Sequence, residues 1–138
     1  MIVCIFVESP SNFKEKVRTQ LEEQFFDTRY LETEANVDKL TELLFEHAQG
    51  NVELVIVLGG VDIKTRAISS IAVERIVDGR IYTLEKYLCQ LIAESCPECL
   101  LTSPTVGVRN QTLIVSLPNH DISLKLLNVV IDAVKKGG

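Results

Sequence analysis

LVIVLGGVD, residues 54–62, is the stretch that decides the fold of this chain. It joins an uninterrupted apolar run of strand length to two glycines and an acid. A strand buried on both faces of a parallel sheet has such a continuous apolar run, whereas a half-exposed strand alternates. Glycines directly after the strand let the backbone turn with little side-chain bulk, and ligands of open α/β sheets bind outside the carboxyl ends of the strands. The stretch therefore predicts a central parallel strand that leads into a ligand crevice.

Size and composition predict one globular domain spanning residues 1–138. Hydrophobic residues make up 46% and charged residues 24% of the chain, a balance typical of a folded domain. The net charge of −5 disfavours nucleic acid as a partner, because phosphate binding needs clustered Lys and Arg. No apolar run approaches the roughly 20 residues of a membrane-spanning helix, so no membrane association is expected. Residues 2–7 are typical of a core strand rather than a signal peptide, and we expect a cytoplasmic protein.

Helical and strand patterns alternate along the rest of the chain. Strands that alternate with helices favour a mostly parallel sheet with helices on both faces. The predicted fold is therefore a three-layer α/β domain with a β-hairpin near its C-terminal third. In order, the predicted elements are a strand at 2–7, a helix from a capping start at 10–12 to 25, a strand at 29–33, a helix capped by Asn36 and ended by Gly50, a strand at 53–58, helices at 67–77 and 84–93, a hairpin or bent strand pair at 106–115, and a helix at 123–134.

The four cysteines fall into two groups. Cys4 and Cys89 stand in apolar company, which predicts buried free thiols in a reducing compartment. The sequence CPEC at residues 96–99 has the spacing of redox and zinc sites. However, it follows a predicted helix, so a helix dipole would not lower the pKa of either thiol. A zinc site would need a second ligand pair, and only His47 and His120 are available as imidazoles, so the sequence predicts no metal site.

One longer pattern resembles a known family. The order of apolar strand, Gly-Gly, loop, two helices and then GVRNQTLIVSLP at residues 107–118 is similar to the molybdopterin-binding fold of molybdenum-cofactor biosynthesis, which includes MogA, MoaB and gephyrin. LTSP at residues 101–104 resembles the family's Leu-Ser-Arg-Pro, and the agreement spans residues 50–134. The resemblance implies a MogA/MoaB-like fold and a homo-oligomer, a trimer in relatives. The chain keeps these positions of the family signature: Gly107, Val108, Arg109, Thr112, Leu113, Ile114, Val115, Leu117 and Pro118.

The chain departs from the family where that family's chemistry resides. The family's Thr-Thr-Gly-Gly-Thr-Gly loop has become VLGGVD at residues 57–62, so the hydroxyls are lost. Arg66 matches the family's arginine, but Ala67 replaces the acid that helps to organise magnesium and the nucleotide phosphates. The loop at residues 8–12 also lacks the family's second acid. Because a methyl group cannot ligate a hard cation, we expect no catalytic residue and no efficient adenylyl transfer.

Three residues are candidates to replace the missing acids and hydroxyls of the family site. Asp62 is typical of a turn acid that caps the next helix. Glu8 follows a strand and offers a carboxylate, although a solvated glutamate is the commoner role. His120 occupies a slot that holds a small serine in the family, and a surface histidine near a helix start is favoured.

The residues that the chain keeps around the predicted crevice indicate ligand binding rather than catalysis. Three hypotheses about the function remain open. The first is a pterin- or anion-binding pseudoenzyme for which molybdopterin is the candidate ligand. The second is an adenylyltransferase with relocated acidic ligands, which would require Mg and ATP. The third is a gephyrin-like oligomeric scaffold. The predicted ligand-binding residues are Gly59, Gly60, Asp62, Arg66, Ser103, Pro104, Leu117, Pro118 and Asn119.

Overall fold

The computed structural model describes residues 1–25 and 27–137, and its helices and strands pack around one sheet. In chain order the elements are β1 Ile2–Val7, α1 Ser11–Glu22, β2 Thr28–Thr33, α2 Val37–His47, β3 Leu54–Leu58, α3 Ile68–Ile76, β4 Gly79–Arg80, α4 Tyr82–Ser95, a 3-10 turn at Pro97–Cys99, β5 Thr105–Arg109, β6 Thr112–Leu117 and α5 Ile122–Gly137.

The six strands are ordered β2-β1-β3-β6-β5-β4. The pairs β1–β2, β1–β3 and β3–β6 are parallel, while β5 is antiparallel to both β4 and β6. The β5–β6 hairpin turns at Asn110, whose φ of 53° lies in the left-handed region that asparagine tolerates. The mostly parallel sheet and the hairpin predicted from the sequence are both confirmed.

Two hydrophobic cores lie on the two faces of the sheet. Alternate residues of β1 and β3 point to opposite cores, which explains why both strands are apolar without interruption. Helices α1, α4 and α5 cover one face, and α2 and α3 cover the other. The three-layer arrangement therefore buries β3 in the middle of the molecule, where its carboxyl end meets those of its neighbours.

Local signals explain some element boundaries better than others. Asn36 caps α2, because its Oδ1 accepts the Lys39 N–H at 3.0 Å, as predicted. Helix α1 begins after Pro10 without a side-chain cap, and Asn12 Oδ1 accepts only the adjacent Phe13 N–H. Among the described residues, no helix is both long and apolar enough to cross a membrane.

Candidate functional site

A crevice of about 370 Å³ lies where the carboxyl ends of β1, β3 and β6 converge. We call it the carboxyl-end crevice. Ligands of open α/β sheets bind at this edge because loops after neighbouring strands meet there. Its walls come from the loops after these three strands and from the turn after α4. The lining residues are Val7, Glu8, Gly59, Gly60, Val61, Asp62, Lys64, Thr65, Glu98, Cys99, Thr102, Pro118, Asn119 and His120.

The two glycines after β3 are required by their surroundings. Gly59 and Gly60 have φ values of 101° and 72°, a region that favours glycine. A Cβ at Gly59 would overlap the Val7 carbonyl oxygen and the Asn119 side chain, and one at Gly60 would overlap Ser69 Oγ. The backbone of β3 therefore reaches its neighbours more closely than any side chain would allow.

Hydrogen bonds hold this glycine turn in place. The Gly59 N–H donates to the Leu117 carbonyl at 2.8 Å, so this amide is not available to a ligand. Ser69 donates its N–H to the Gly60 carbonyl at 2.8 Å and its hydroxyl to the Gly59 carbonyl at 2.7 Å. Within the described residues the Gly60 N–H makes no hydrogen bond, and it is the amide of the pair that remains open to a ligand.

Asn119 joins the ends of β1 and β6 across the glycine turn. Its Nδ2 donates to the Val7 carbonyl at 2.9 Å, and its Oδ1 accepts the Ser9 hydroxyl at 2.6 Å. The residue lines the crevice as predicted, but its amide group is already engaged by the protein. Asn119 therefore shapes the crevice in addition to any contact with a ligand.

Asp62 stabilises the turn after β3, and the prediction that it caps the next helix was wrong, because the N-cap of α3 is Ala67. Its Oδ1 accepts the Thr65 N–H at 3.0 Å and the Thr65 hydroxyl at 2.8 Å. After this turn, Arg66 and Ala67 have φ values of 60° and 52°. Ala67 then stands at the N-cap of α3 without a side-chain hydrogen bond. A methyl group thus occupies the position where the resemblance implies a carboxylate.

Four predicted ligand-binding residues lie outside the lining of the crevice. Arg66 is exposed, and Pro104 and Leu117 are buried. The Ser103 side chain is exposed, while its N–H donates to the Val61 carbonyl at 2.8 Å and its carbonyl accepts the Ser70 hydroxyl. These residues support the loops of the crevice, whereas Gly59, Gly60, Asp62, Pro118 and Asn119 line it directly.

Acidic side chains dominate the charge of the crevice. Glu8, Asp62 and Glu98 contribute three carboxylates, and Lys64 is the lining residue with a permanent positive charge. Glu8 is an exposed residue with a φ of 49°, and its Oε2 accepts the Ala35 N–H at 2.7 Å. An anionic ligand would therefore enter beside Lys64 or together with a cation, because like charges repel.

The turn after α4 brings two cysteines against a histidine. Cys96 and Cys99 are joined as a disulfide, and both are buried. Both ring nitrogens of His120 lie 3.6 Å from Cys96 Sγ. The His120 Nδ1 accepts the Ile122 N–H at 3.0 Å, and Nε2 faces Glu98 Oε2 at 3.2 Å. A hydrogen bond with its own backbone, followed by that from His120, lowers the pKa of the Glu98 carboxyl.

The sequence offered His47 and His120 equally as imidazoles for a site at CPEC, and it could not show that His120 lies against Cys96, because the two are more than twenty positions apart in the chain. The other two cysteines are free. Cys4 is buried as predicted, and burial raises the pKa of its thiol. The prediction was wrong for Cys89, which is exposed because it follows the inward-facing Leu88 by one helical position.

A larger groove of about 850 Å³ lies at the opposite edge of the sheet. We call it the amino-end groove, because it adjoins the starts of β3 and β6. Its walls are the first turns of α4, the β5–β6 hairpin and the end of α5. Its lining residues are Glu53, Ile81, Thr83, Leu84, Tyr87, Val108, Gln111, Leu113, Val129, Asp132, Ala133, Val134, Lys136 and Gly137.

Comparison with known proteins gives a structural match without a sequence match. No family model matches this chain, and a search of curated proteins gives no significant match. The molybdopterin biosynthesis Mog protein from Mycobacterium ulcerans has a TM-score of 0.84 at 21% identity, covering 99% of this chain and 94% of that chain. MoaB from Thermus thermophilus has a TM-score of 0.78 at 17% identity, covering 96% and 89%. The tungsten cofactor synthesizing protein MoaB from Pyrococcus furiosus has a TM-score of 0.73 at 20% identity, covering 96% and 91%.

The chain is thus a three-layer α/β protein with a crevice at the carboxyl edge of a mostly parallel sheet. Its fold is the one shared by MogA and MoaB, as the resemblance of residues 107–118 implied. The structural match extends over the first fifty residues, which the sequence resemblance did not cover.

Proposed function

We propose that this protein binds a pterin-type ligand, with molybdopterin as the candidate, in the carboxyl-end crevice and does not catalyse efficient adenylyl transfer. The fold matches proteins named for molybdopterin biosynthesis. The crevice lies at the edge where ligands of such sheets bind. Its volume of about 370 Å³ falls within the range of roughly 300–1,000 Å³ for small-molecule sites.

The alanine at position 67 is the observation that supports the proposed loss of catalysis. The resemblance implies an acid here that organises magnesium and nucleotide phosphates, and nucleotidyl transfer depends on such charge stabilisation. Ala67 offers a methyl group in a left-handed backbone conformation, and its N-cap position makes no side-chain hydrogen bond. The neighbouring Ser69 and Ser70 hydroxyls already donate to backbone carbonyls. The start of α3 therefore has no acidic ligand for a metal ion.

Binding can persist without this chemistry. Val61 and Pro118 provide apolar walls for a flat heterocycle, and the Gly60 N–H provides a donor. Lys64 provides a positive charge for an anionic group of the ligand. Backbone amides and one ammonium group suit an anion with modest specificity.

Isothermal titration with molybdopterin tests this proposal, and Lys64→Ala and Arg66→Ala form a matched pair. Both residues are exposed cations of the same loop, but only Lys64 lines the crevice. We expect wild type to bind and Lys64→Ala to weaken binding about tenfold, equivalent to ~1.4 kcal/mol. Arg66→Ala should bind as wild type does. Absence of binding to wild type would contradict the proposal, and a loss confined to Arg66→Ala would move the anion site out of the crevice.

A second candidate is the adenylyltransferase with relocated ligands, which the acid-rich lining favours. Glu8 and Asp62 both reach the crevice, and carboxylates are preferred ligands of Mg²⁺. The test is Mg²⁺-dependent release of pyrophosphate from ATP in the presence of molybdopterin. Our proposal expects no release above background. Release that disappears in Glu8→Gln would establish the enzyme instead.

The third hypothesis, an oligomeric scaffold, is supported by the apolar lining of the amino-end groove. Leu84, Val129 and Val134 lie there beside the exposed ring of Tyr87. We propose that copies of this chain associate, as the resemblance to a trimeric family implies. Sedimentation equilibrium of the wild-type protein measures this assembly, and a strictly monomeric protein would exclude it.

A further inference from the structure

We propose that Cys96, Cys99 and His120 form a binding site for a thiophilic divalent metal ion, with zinc as the expected occupant. One ligand atom from each of these residues lies within 4.8 Å of the others. Thiolate sulfur and imidazole nitrogen form the donor set that selects zinc over hard cations such as magnesium. The site uses residues that the pterin proposal does not require, so each proposal can fail alone.

The spacing of sulfur and nitrogen fits a shared tetrahedral ion. Zinc bonds of about 2.3 Å to sulfur and 2.05 Å to nitrogen, at a tetrahedral angle, place these atoms about 3.6 Å apart. Cys96 Sγ lies 3.6 Å from both ring nitrogens of His120, so the spacing is met and the ring need only turn to direct the Nδ1 lone pair at the ion. The histidine therefore already lies at the distance from Cys96 that a common metal ion requires.

The backbone fixes the two cysteines. The Cys96 N–H donates to the Ile92 carbonyl at 2.8 Å, and the Cys99 N–H donates to the Cys96 carbonyl at 2.9 Å. Their side chains are 1% and 4% exposed, so water competes little for the sulfur atoms. The Cα atoms lie 5.3 Å apart, which lets both sulfurs reach one ion from the same turn.

His120 comes from the loop between β6 and α5, and its neighbours orient the ring. Nδ1 accepts a backbone N–H, so in the neutral ring the proton is on Nε2, which donates to Glu98. Nδ1 therefore carries the lone pair that would bind the ion. On binding, the ion would replace the Ile122 N–H as the partner of Nδ1. Ligating histidines commonly donate their other nitrogen to a carboxylate, which fixes the tautomer. Glu98 is thus a positioning residue for the ligand.

In the structure Cys96 and Cys99 are joined as a disulfide, so the pair must be reduced before it can bind a metal ion. A dithiol or phosphine reductant supplies two electrons, and with two protons the S–S bond becomes two thiols. Binding of Zn²⁺ then releases those two protons and leaves two thiolates on the ion. The side chains rotate until the sulfurs stand about 3.8 Å apart across the ion. Zn²⁺ with two thiolates and a neutral imidazole has no net charge, which suits a largely buried position.

Cys99 and His120 both line the carboxyl-end crevice, so an ion held by these residues would lie beside it. Three protein ligands with one open position are the arrangement of zinc sites that hold a water or a small ligand. The metal would therefore share a wall with the ligand pocket without occupying it.

The experiment uses the full chain, reduced with a phosphine and kept free of oxygen. Zn²⁺ is titrated by calorimetry, and Co²⁺ is added as a spectroscopic probe of thiolate ligation. We expect one ion per chain and a sulfur-to-cobalt charge-transfer band. Cys96→Ser and Cys99→Ser should each weaken binding more than about 100-fold, because loss of a direct ligand exceeds the effect of an outer partner.

Four further variants separate the roles. Cys89→Ser, which removes an exposed free thiol on α4, should bind zinc as wild type does. His120→Ala should weaken binding and change the cobalt spectrum. Glu98→Ala should weaken binding about 10- to 100-fold, and Glu98→Gln should restore much of the loss because it keeps a hydrogen-bond acceptor.

Clear results would overturn the proposal. Failure of the reduced wild-type protein to bind zinc would leave the pair as a plain disulfide. Unchanged binding in Cys96→Ser, or an equal loss in Cys89→Ser, would place the ion elsewhere. Unchanged binding in His120→Ala would remove the imidazole from the ligand set. Circular dichroism of each variant checks that it is folded before it is titrated.

Discussion

The two ends of the sheet are built in opposite ways. The carboxyl-end crevice is small, about 370 Å³, and its walls are backbone turns and polar side chains. The amino-end groove is larger, about 850 Å³, and its walls are mostly apolar faces of helices and strands. Volume alone would favour the groove as the ligand site. The direction of the parallel strands favours the crevice, because chemistry in these folds lies at carboxyl ends.

The difference also concerns what holds each end in shape. Among the described residues, Glu8 in the crevice lining and Arg66 and Ala67 in the loop after β3 have positive φ without being glycine. Such backbone conformations persist only where surrounding hydrogen bonds and packing over-determine them. At the groove, Asn110 in the hairpin turn is the corresponding residue, and most of the wall consists of side chains on regular elements. Substitutions in the crevice should therefore disturb the backbone. Substitutions in the groove should change its side-chain surface and leave the backbone unchanged.

The largest expected effect is at Gly59. Gly59→Ala should lower the free energy of unfolding by about 2–5 kcal/mol, since a left-handed alanine costs about 1–2 kcal/mol and overpacking adds about 1–3. Gly50→Ala is the matched control, because Gly50 has a φ of 62° but nothing within 4 Å of the added Cβ. It should cost only about 1–2 kcal/mol. Urea denaturation measures both, and equal losses would show that close packing at the crevice is not the cause.

An intermediate effect is expected at Asn119. Asn119→Ala removes the donor to the Val7 carbonyl and the acceptor of the Ser9 hydroxyl. Leaving such groups unpaired should lower the free energy of unfolding by about 1–3 kcal/mol. Asn128→Ala serves as the control, because Asn128 accepts exposed bonds from Gln20 and Gln24, and it should change stability by less than about 0.5 kcal/mol. Similar losses of unfolding free energy for the two variants in urea would contradict a stabilising role for the Asn119 hydrogen bonds.

The smallest effect on stability is expected at the groove. Tyr87 is 49% exposed, so Tyr87→Ser should change the free energy of unfolding by less than about 0.5 kcal/mol. Ligand affinity in the crevice should be unchanged, because the two regions lie at opposite edges. If a second copy of the chain covers the groove, Tyr87→Ser should lower the average molecular mass measured by sedimentation equilibrium. A loss of ligand affinity in calorimetry would show that the groove and the crevice are not independent of each other.

Much of the fold follows from periodicity alone. The apolar run before Gly59 forms the central strand β3, and Phe13, Val17 and Leu21 are buried at helical spacing in α1, inside the range predicted to be helical. β4, at Gly79–Arg80, was not predicted, because two residues carry no period. The pattern located regular elements well and short ones poorly.

The candidate site was less predictable, because its key contacts are tertiary. The glycine turn was visible in the sequence, and the bond from the Thr65 N–H to Asp62 follows from local turn chemistry. Nothing local indicates that Asn119 reaches β1, or that His120 lies against Cys96. Those contacts depend on which strands are neighbours, and strand order is not written in any single segment.

The pairing of β3 with β6 has a consequence for the order of assembly during folding. Strands β1 to β3 come from the first 58 residues and strands β4 to β6 from residues 79–117, so each half of the sheet is contiguous along the chain. The seam between the halves pairs Leu54 with Leu113, which closes a long loop at an entropic cost and slows folding. The bond from Asn119 to Val7 crosses that seam. We therefore expect the carboxyl-end crevice to take shape only as the two halves of the sheet come together.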